Sequence, residues 1–435
     1  MQEKMKGEGR SARITALRCI QRTLEGRDLQ AALNEALSGS DLASQDRNLA
    51  SKLCYEYLRL KGRLDHIVSS LLAKKSKKLP PPFVLALGLC TYEILYLDRV
   101  PAYASVSWYV EHIKRRVAPR LTGMANGVLR EVVRLGTGPL EPDFYRSRNT
   151  GTTTFWSRYY SCPQWVIKLW LGAYGEEACL RLLQAGLEAP AVGLRINRTL
   201  CESGELEQAL DAHPDRVLRR GPGIAFRRTP GVNIPELEAL GQVSRQSVAA
   251  LETLLALEPA DWDRPVWDAC AGRGGKACAL AEMGCSPLWA SDADPAKIGA
   301  CKGEFSRLHL QEEALFAADA AGNAPLRRQP GTVLLDVPCS GLGVLSRRPD
   351  MKWKIRPGDV QALSRLQERM LGTAASSLPR GGRIVYVTCT MNPEENEARI
   401  DRFLEQSNRA RWERQWQTAA DSPLREFFFA ASIRL

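Results

Sequence analysis

Short apolar runs that end in turn residues, separated by longer segments of helical periodicity, dominate this chain from about residue 241 onward. Three of these runs are 266–268, 333–335 and 384–387. Runs of this length are typical of strands that are buried on both faces. Strands that alternate with helices form mostly parallel, doubly wound sheets, which bind ligands at the carboxyl ends of the strands. The pattern therefore predicts a Rossmann-like α/β domain with a site where these runs end.

Two cysteines follow two of the predicted strands. Cys339 lies in LLDVPCSGLG after the second run, and Cys389 lies in RIVYVTCTM after the third. Either thiol alone is most simply a buried structural group. Both, however, stand at strand ends beside Pro, Ser and Thr. Because the carboxyl ends of parallel strands meet at one edge of the sheet, we expect the two thiols to face the same site.

The first run leads into DACAGRGGK, a glycine loop that precedes a predicted helix. Glycines let the backbone approach a ligand closely, and a helix N-terminus offers free N–H groups. The next strand ends at Asp292, where a ribose hydroxyl is expected, and a third strand end carries Asp319, positioned to bond an adenine amino group. The loop has neither the GxxxxGK[ST] nor the GxGxxG spacing. The pattern therefore favours S-adenosyl-L-methionine as the cofactor.

A methyl donor that faces two thiols indicates methylation of carbon 5 of a pyrimidine. Carbon 5 is a poor nucleophile until a thiolate adds at carbon 6, which is covalent catalysis. A free cysteine is only partly ionised at neutral pH, so a nearby cation would help, and Lys276 and the region of Lys352 are candidates. Asp336, three residues before Cys339, can bond the N3 and amino edge of the base.

Composition narrows the class of protein. The 435 residues imply two or three domains, and the formal net charge of +11 favours a polyanionic partner. The twelve cysteines form no CxxC pairs, so we expect neither a metal site nor a disulfide scaffold. We expect a cytoplasmic monomer without membrane association, because MQEKMKGEGRSAR has no apolar core and no apolar stretch approaches the ~20 residues of a spanning helix.

The chain divides into three predicted segments. Helical periodicity from about residue 12 to 135 predicts an all-α domain over residues 1–138. Residues 139–240 are predicted to form a linker followed by a small α+β module with basic strands. The linker is rich in Gly, Pro and Thr and extends to about residue 154. Residues 241–435 form the α/β domain. Cation clusters near residues 74–78 and 114–120 favour RNA contact over merely solvated helix ends.

The motifs DACAGRGGK, DVPCSGLGVLSRRPDMKW and VTCTMNPEENE are similar to those of the Nol/Nop/Sun family of RNA cytosine-5 methyltransferases. The helical N-terminal domain resembles NusB, and the similarity runs over nearly the whole chain. The resemblance implies a multidomain protein with an all-α NusB-like domain, an α+β RNA-recognition module and a Rossmann-like methyltransferase domain. It also implies S-adenosyl-L-methionine as methyl donor and small-subunit ribosomal RNA as the partner.

Site residues follow from this resemblance by position. It implies that Cys389 is the nucleophile, that Cys339 assists release of the product, and that residues 392–396 hold the nucleophile loop in shape. Asp336 and Lys276 complete the predicted catalytic group. The implied cofactor contacts are Cys270, Ala271, Gly272, Arg273, Gly274, Gly275, Lys276, Asp292, Asp319 and Asp336. The implied RNA contacts are Arg195, Asn197 and Arg198 on a basic strand and Arg347, Arg348 and Lys352 after the first cysteine.

Two departures from the family pattern leave alternative functions open. The family loop reads CAAPGGK, whereas Gly272 and Arg273 replace its Ala and Pro, and AADAA lacks the family's glycine before Asp319 and its arginine after it. An altered cofactor loop is compatible with a NusB-like RNA-binding assembly factor whose methyltransferase domain has lapsed. Transfer RNA is also open as the substrate of the same chemistry, because only the N-terminal domain favours ribosomal RNA.

Overall fold

The computed structural model of the chain describes residues 11–72, 79–147, 150–201, 204–212, 217–227, 231–322 and 324–435. The lysine cluster near residues 74–78 lies outside these ranges. The chain divides into a first unit, Met1–Leu187 with Arg348–Lys354, and a second unit, Glu188–Arg347 with Ile355–Leu435. This division differs from the three predicted segments, because the α+β module shares a unit with the α/β domain.

The first unit is helical, as its sequence periodicity predicts. Its helices are α1 (Ala12–Leu24), α2 (Leu29–Ser38), α3 (Ser44–Leu71), α4 (Pro81–Tyr96), α5 (Ala102–His112), α6 (Thr122–Leu135), α7 (Thr152–Tyr159) and α8 (Gln164–Ala185), with short turns at Ile113–Val117, Pro119–Leu121, Gly138–Leu140, Pro142–Tyr145 and Met351–Lys354. Helix α4 begins at Pro81, in the first turn, where proline costs no helical hydrogen bond. Leu64, Phe83 and Leu129 are among the fully buried residues of its core.

Residues 136–147 and 150–154 do not form the linker that their composition predicts. They contain two short helical turns and run into α7. Tyr145 is fully buried, and its hydroxyl donates to Pro139 O over 2.7 Å. The Tyr145 ring also contacts the rings of Phe144 and Tyr159. Aromatic residues therefore fix this segment to the first unit, a contribution that the content of turn residues alone does not indicate.

The second unit contains a small antiparallel sheet. Its strands, β1 (Val192–Ile196), β2 (Val217–Arg220), β3 (Gly223–Phe226) and β4 (Val243–Arg245), lie in the order β2–β3–β1–β4, and the helices are α9 (Gly204–Asp211) and α10 (Ile234–Ala239). Leu194, Ile224 and Phe226 from the strands pack with Leu206 and Leu210 from α9. An α+β module is predicted within residues 139–240, and the structure forms it after residue 187, whereas helix α8 of that range belongs to the first unit.

A seven-stranded sheet, in the order β10–β11–β9–β8–β5–β6–β7, forms the remainder of the second unit. Its strands are β5 (Val266–Asp268), β6 (Leu288–Asp292), β7 (Ala314–Ala317), β8 (Thr332–Asp336), β9 (Arg383–Thr388), β10 (Arg411–Gln417) and β11 (Phe429–Arg434). Strands β5 to β9 are parallel, and β11 and β10 extend the sheet antiparallel beside β9. The predicted Rossmann-like fold is confirmed. The polar sequence RWERQWQ of edge strand β10 gives no comparable strand signal.

Helices cover both faces of this sheet. They are α11 (Val248–Ala256), α12 (Gly275–Glu282), α13 (Pro295–Arg307), α14 (Pro357–Ser377) and α15 (Glu397–Gln406), with short turns at Pro259–Asp261 and Pro393–Glu395. Val266 and Leu334 belong to the core beneath α11, α12 and α13, whereas Trp267 and Val333 belong to the core beneath α14 and α15. Burial on both faces explains why these strands read as continuous apolar runs rather than as alternating ones.

Within the described ranges, no helix is both long enough and apolar enough to cross a membrane. The same ranges contain no group of three or more His, Cys, Asp or Glu side chains placed to hold a metal ion. All twelve cysteines are free thiols.

Lys352, in the part of the first unit that follows residue 347, is a buried cation. Its side chain is 2% exposed, and its ammonium group donates to Arg59 O over 3.0 Å. Burial is the main cause that lowers the pKa of Lys352 to about 7. The neighbouring Trp353 donates its indole N–H to Leu58 O over 2.6 Å. The predicted RNA contact of Lys352 is therefore corrected, because an enclosed ammonium group cannot reach a phosphate while the unit is folded.

We expect Lys352→Met to change how stability depends on pH. The pKa of Lys352 is about 7 in the folded chain, whereas that of an unfolded lysine is about 10.4, so between these values the unfolded chain binds more protons. The contribution of Lys352 to the free energy of unfolding therefore rises with pH in this window, by at most about 1.4 kcal/mol per pH unit. Urea unfolding near pH 7 and pH 9 measures this rise, which the Met variant should lose. Identical pH dependence in both proteins would contradict a buried, titrating Lys352.

Candidate active site

The two predicted cysteines meet at the carboxyl ends of the adjacent parallel strands β8 and β9. The register pairs Asp336 with Val387, so the chain leaves both strands at the same edge of the sheet. Cys339 Sγ lies 3.2 Å from Cys389 Sγ, and the Cys389 backbone N–H donates to Cys339 Sγ at 3.3 Å. The two thiols therefore face one site, as the strand-end argument predicts.

Cys339 is a neutral thiol in the free protein. The hydrogen bond to Cys389, followed by burial, raises the pKa of Cys339 well above its ordinary value. Either sulfur can be the donor of the bond that joins the two cysteines.

A buried glutamate fixes the loop that carries Cys339. Glu395, in the short turn after β9, is fully buried and accepts hydrogen bonds from the Ser340 backbone N–H at 2.9 Å and the Ser340 hydroxyl at 2.5 Å. Its carboxylate also accepts from Asn392 Nδ2 at 3.0 Å. The Ser340 and Thr390 hydroxyl oxygens lie 2.7 Å apart. These bonds, which we call the Glu395 clamp, join the residues that follow the two cysteines.

Gln367 of α14 completes the Glu395 clamp. This residue is fully buried, and its Nε2 donates to Glu395 at 3.2 Å and to Pro338 O at 2.9 Å. Both partners are more than 25 residues away in the sequence. The sequence carries no local motif that would mark Gln367, so only the packing of α14 on the sheet reveals it.

Gly343 brings the loop of the first cysteine against the end of β9. Its N–H donates to Cys389 O at 3.0 Å, and its carbonyl accepts from the Phe427 N–H at 2.8 Å. A Cβ at this position would lie 2.0 Å from Phe427 O and 2.9 Å from Cys389 O. No side chain fits there, so glycine is required for the approach of the two segments.

An ion pair stands beside the thiols. Lys276 Nζ lies 2.5 Å from Asp336 Oδ2. Burial lowers the pKa of Lys276, but attraction to Asp336 outweighs it and the pKa is raised, with a smaller contribution in the same direction from Cys389. Lys276 thus places a positive charge in the same site as the Cys389 thiol. Lys352, the other candidate, is committed to Arg59 O inside the first unit.

Asp268 at the end of β5 is a candidate that the sequence analysis missed. The residue is fully buried, its Oδ1 accepts from the Cys270 N–H at 3.2 Å, and its Oδ2 has no hydrogen-bond partner in the described part of the chain. Burial, followed by repulsion from Asp336, raises the pKa of Asp268 to about 7. A buried acceptor without a partner is costly unless a ligand donates to it. Asp268 could have been found from the sequence by the feature that identified Asp292, because both are acids at the end of a strand.

The glycine loop offers the space and the acceptors that a nucleoside-bearing cofactor needs. Gly272 and Gly274 have φ values of 56° and 92°, and a Cβ on Gly272 or Gly275 would meet nothing within 4 Å. The Gly272 N–H donates to Asp292 Oδ2 at 3.1 Å, which holds that carboxylate at the mouth of the loop. Together with the unpartnered Asp268 Oδ2, this arrangement fits ribose hydroxyls and an amino group.

The other residues predicted to contact the cofactor lie on the same loop or at a neighbouring strand end. The Ala271 N–H donates to Ser291 O at 2.8 Å and ties the loop to β6. Burial raises the pKa of Cys270 well above its ordinary value, so this thiol stays neutral. Asp319 is exposed after β7, and its Oδ1 accepts from the Ala321 N–H at 2.9 Å. Asp319 therefore stands at the third strand end, as predicted, while also stabilising its own turn.

Arg195 is a structural residue, which corrects the prediction that it contacts RNA. Its side chain is 2% exposed and forms an ion pair with Glu282 at 2.7 Å. The same guanidinium group donates to Gly275 O at 3.0 Å, so strand β1 holds the glycine loop in place. A basic strand in the sequence does not reveal this, because the partner carboxylate lies 87 residues away.

The remaining predicted RNA contacts differ in their surroundings. Asn197 is fully buried, which also removes its side chain from solvent. Arg347 forms two hydrogen bonds with Glu426, at 2.7 and 2.8 Å. Arg348 retains 45% of its side-chain exposure, and Arg198 is exposed after β1. The Arg347 side chain is 40% exposed, and Arg348 also forms an ion pair, with Asp28. The RNA-contact prediction therefore remains a prediction for Arg198, Arg347 and Arg348.

Substitution of Glu395 tests whether its clamp sets the geometry of the thiols. In Glu395→Gln an amide group faces the two Ser340 donors, so we expect the free energy of unfolding to fall by about 1–3 kcal/mol. The rate at which Cys389 reacts with iodoacetamide, followed on its peptide by mass spectrometry, should change as the loop shifts. Glu394→Gln is the matched control, because Glu394 is 57% exposed and its surface ion pair is worth about 1 kcal/mol at most. Equal effects of the two substitutions would argue against the clamp.

Two protein-family models match the chain. The model described as 16S rRNA methyltransferase RsmB/F matches residues 253–425, and the NusB family model matches residues 10–134. The first match contains the glycine loop and both strand-end cysteines. The ribosomal RNA small subunit methyltransferase B of Yersinia pseudotuberculosis is 31% identical over 423 residues, which cover 94% of this chain and 93% of that protein.

Solved structures share the fold. The crystal structure of PH0851 aligns with a TM-score of 0.75 and 19% identity, covering 97% of this chain and 98% of that one. The crystal structure of NSun6 from Pyrococcus horikoshii with SFG aligns with a TM-score of 0.54 and 17% identity, covering 62% of this chain and 98% of that one. At these identities the likeness concerns the fold alone.

Proposed function

Because the chain belongs to the RsmB/F family of 16S rRNA methyltransferases, we propose that it methylates carbon 5 of a cytosine in small-subunit ribosomal RNA through a covalent cysteine adduct at carbon 6. The observation that carries the proposal is the separation of 3.2 Å between Cys339 Sγ and Cys389 Sγ. A reaction that must both form and break a carbon–sulfur bond has a use for two neighbouring thiols. One buried structural cysteine would need no such neighbour.

The proposed cofactor is S-adenosyl-L-methionine, which supplies an electrophilic methyl group when bound. The glycine loop, residues 270–276, would hold it together with acids at three strand ends. Asp292 suits the ribose hydroxyls, Asp319 the adenine amino group, and the unpartnered Asp268 Oδ2 a further amino donor. Asp336 faces the same loop through its ion pair with Lys276. NSun6, which shares the fold, was crystallised with SFG, an analogue of this cofactor.

Cys389 is the proposed nucleophile. Its sulfur lies in the field of the Lys276 cation, and as a thiolate, with the thiol proton given up to solvent, it bonds to carbon 6 of the cytosine. The electron pair of the 5,6 double bond then makes carbon 5 nucleophilic. Carbon 5 would take the methyl group while the bond between that group and the donor's sulfur breaks and its electrons stay on that sulfur. Asp336 accepts a hydrogen bond from the amino group of the base, and Lys276, its ion-pair partner, supplies positive charge beside the ring as negative charge enters it.

Cys339 is suited to the final step, in which the carbon 5 proton leaves and the bond between Cys389 and carbon 6 breaks. The main cause of the raised pKa of Cys339 is its hydrogen bond to Cys389. In the adduct the Cys389 sulfur is a thioether, which carries no charge and accepts hydrogen bonds weakly. Cys339 can therefore lose its own proton to solvent more easily at this step, and its thiolate can accept the carbon 5 proton. Elimination returns the electron pair to Cys389 and frees the product.

The target cytosine must leave its stack before the reaction. Carbon 6 within a stacked helix is inaccessible to a thiol, so the RNA binds as a single strand or the base is flipped out. The formal charge of +11 supports binding through phosphates, with an affinity that falls as salt rises. A ribosomal RNA substrate also supports the cytoplasmic location proposed from the sequence.

Two alternatives receive less support. A lapsed methyltransferase domain would have no reason to retain the thiol pair, the Lys276–Asp336 ion pair and a glycine loop with open space at Gly272 and Gly275. For the substrate, the Yersinia pseudotuberculosis relative is named for the small ribosomal subunit, and it matches this chain over nearly its full length. Ribosomal RNA is therefore favoured over transfer RNA.

Bisulfite sequencing of small-subunit ribosomal RNA, from cells with and without the gene, tests the function. We expect at least one cytosine that resists conversion in the parent strain to be converted fully in the deletion strain. The wild-type gene should restore the protection, whereas a gene carrying Cys389→Ala should not. Unchanged conversion throughout the ribosomal RNA would reject this substrate, and a change confined to transfer RNA would favour the alternative.

Alanine variants of the two cysteines test their roles in the reaction. Cys389→Ala removes the attacking sulfur, so we expect methyl transfer to fall by ~10³-fold or more. Cys339→Ala removes the group that assists release, so we expect labelled RNA to remain covalently attached to the protein on a denaturing gel. Cys201→Ala, in the α+β module, is the control and should behave as wild type in both assays. Full activity of the Cys389 variant would overturn its assignment as nucleophile.

A further inference from the structure

A groove of about 440 Å³ lies in the second unit, between the α+β module and the glycine loop. Its lining residues are Arg195, Glu238, Ala239, Ser244, Arg245, Arg273, Gly274, Gly275, Cys278, Glu304 and Arg307. Four arginines thus face two glutamates, which leaves the groove with an excess of positive charge. Neither the Asp336 carboxylate nor the thiols of Cys339 and Cys389 line this groove.

Two of these arginines build the groove and are not available to a ligand. Arg195 is buried and bonded to Glu282 and to Gly275 O. Arg307 donates to Val243 O at 3.1 Å and to Ser244 Oγ at 2.8 Å, which joins α13 to strand β4. These contacts fix the distance between the module and the glycine loop, so the groove is a preformed feature of the unit.

The other two arginines are exposed. The Arg245 side chain is 55% exposed and shares one bond, at 2.8 Å, with Glu238. Arg273 is exposed, and it has no ion pair or side-chain hydrogen bond with any residue in the described ranges. A guanidinium group offers five donors in a planar fork that matches the oxygens of a phosphate. An unpaired arginine in a concave, positively charged site is therefore an anion-binding group.

We propose that this groove binds a backbone phosphodiester of the RNA substrate, with Arg273 and Arg245 as the contacting groups. The proposal rests on the proposed function and adds a binding site to it. It also reassigns Arg273, which the sequence analysis placed among the cofactor contacts. The backbone of Arg273 belongs to the glycine loop, whereas its side chain belongs to the groove. Proline, the family's residue at this position, has no donor to offer a phosphate, so the contact distinguishes this chain from that pattern.

The position of the groove explains how such a contact serves the reaction. Gly274 and Gly275 line the groove on one side and form the cofactor loop on the other. A phosphate held there keeps the RNA strand next to the loop that carries the methyl donor, without placing the guanidinium group against a cationic sulfonium. Like charges at close range would weaken cofactor binding, which disfavours the opposite orientation of the Arg273 side chain.

Equilibrium binding of transcribed small-subunit ribosomal RNA to the full-length protein tests the proposal. We expect Arg273→Gln to raise the dissociation constant about threefold to tenfold, and the slope of its logarithm against log salt to fall by about 0.7 for a lost single-strand phosphate contact. Arg245→Gln should act in the same direction, and the double variant should bind more weakly than either single one. Affinity for S-adenosylhomocysteine, measured by calorimetry, should stay within about twofold of wild type.

Arg409→Gln is the matched control, because Arg409 is also exposed and lies in the turn before edge strand β10. It removes the same charge and should leave RNA affinity unchanged. The proposal is overturned if Arg273→Gln binds RNA as wild type does, if it weakens binding no more than the Arg409 control, or if its main effect is on cofactor affinity. Each of these results leaves the proposed function standing, whereas a wild-type protein that neither binds nor methylates ribosomal RNA rejects the function itself.

Discussion

Parallel pairing of β8 with β9 is the constraint on which the rest of the site depends. Both strands are buried on both faces, so their register is fixed by packing as well as by hydrogen bonds. Because Asp336 stands opposite Val387, the loop after β8 and the loop after β9 begin side by side. Two cysteines that are fifty residues apart in sequence thereby come within 3.2 Å. The chemistry of the site follows from this single adjacency.

The strand ends bring the loops together, and buried polar groups then fix their shape. A carboxylate removed from water is destabilising unless its oxygens accept hydrogen bonds. Glu395 is fully buried and accepts from Ser340, Asn392 and Gln367. Such a fully bonded carboxylate resists displacement, since any movement leaves donors or acceptors without partners. These bonds therefore hold the two cysteine loops together beside the paired thiols.

Some cationic side chains of the protein are buried in structural contacts, whereas others are exposed to solvent. Arg195 and Arg307 use their guanidinium groups to join the α+β module to the α/β domain, and Lys352 is enclosed in the first unit. These residues count towards the formal charge of +11 but cannot meet RNA. Exposed groups such as Arg198 and Arg273 remain available for the proposed RNA contacts. A basic composition thus indicates the class of partner, whereas burial decides which cations touch it.

Much of the fold was predictable because it depends on local sequence. Apolar runs bounded by turn residues gave the central strands, three- and four-residue spacing gave the helices, and the acids and cysteines after the strands located the site. The antiparallel strands β10 and β11 and the packed segment 136–154 were not predicted. Edge strand β10 is polar, and the segment is held by aromatic contacts between distant residues.

The sequence by itself determined which groups are proposed to react, because the chemistry of a side chain and strand formation are properties of residue types and their short-range spacing. Only the tertiary structure decided what those groups face. Burial left Asp268 Oδ2 without a hydrogen-bond partner in the described part of the chain, and Gln367 reached the cysteine loop from a helix more than 25 residues away. Arg195 was drawn into an ion pair, whereas Arg273 was left exposed in a groove. The hydrogen-bond and ion-pair partners of a side chain, and its exposure to solvent, depend on contacts between segments that are far apart along the chain. For that reason no local sequence pattern encodes them.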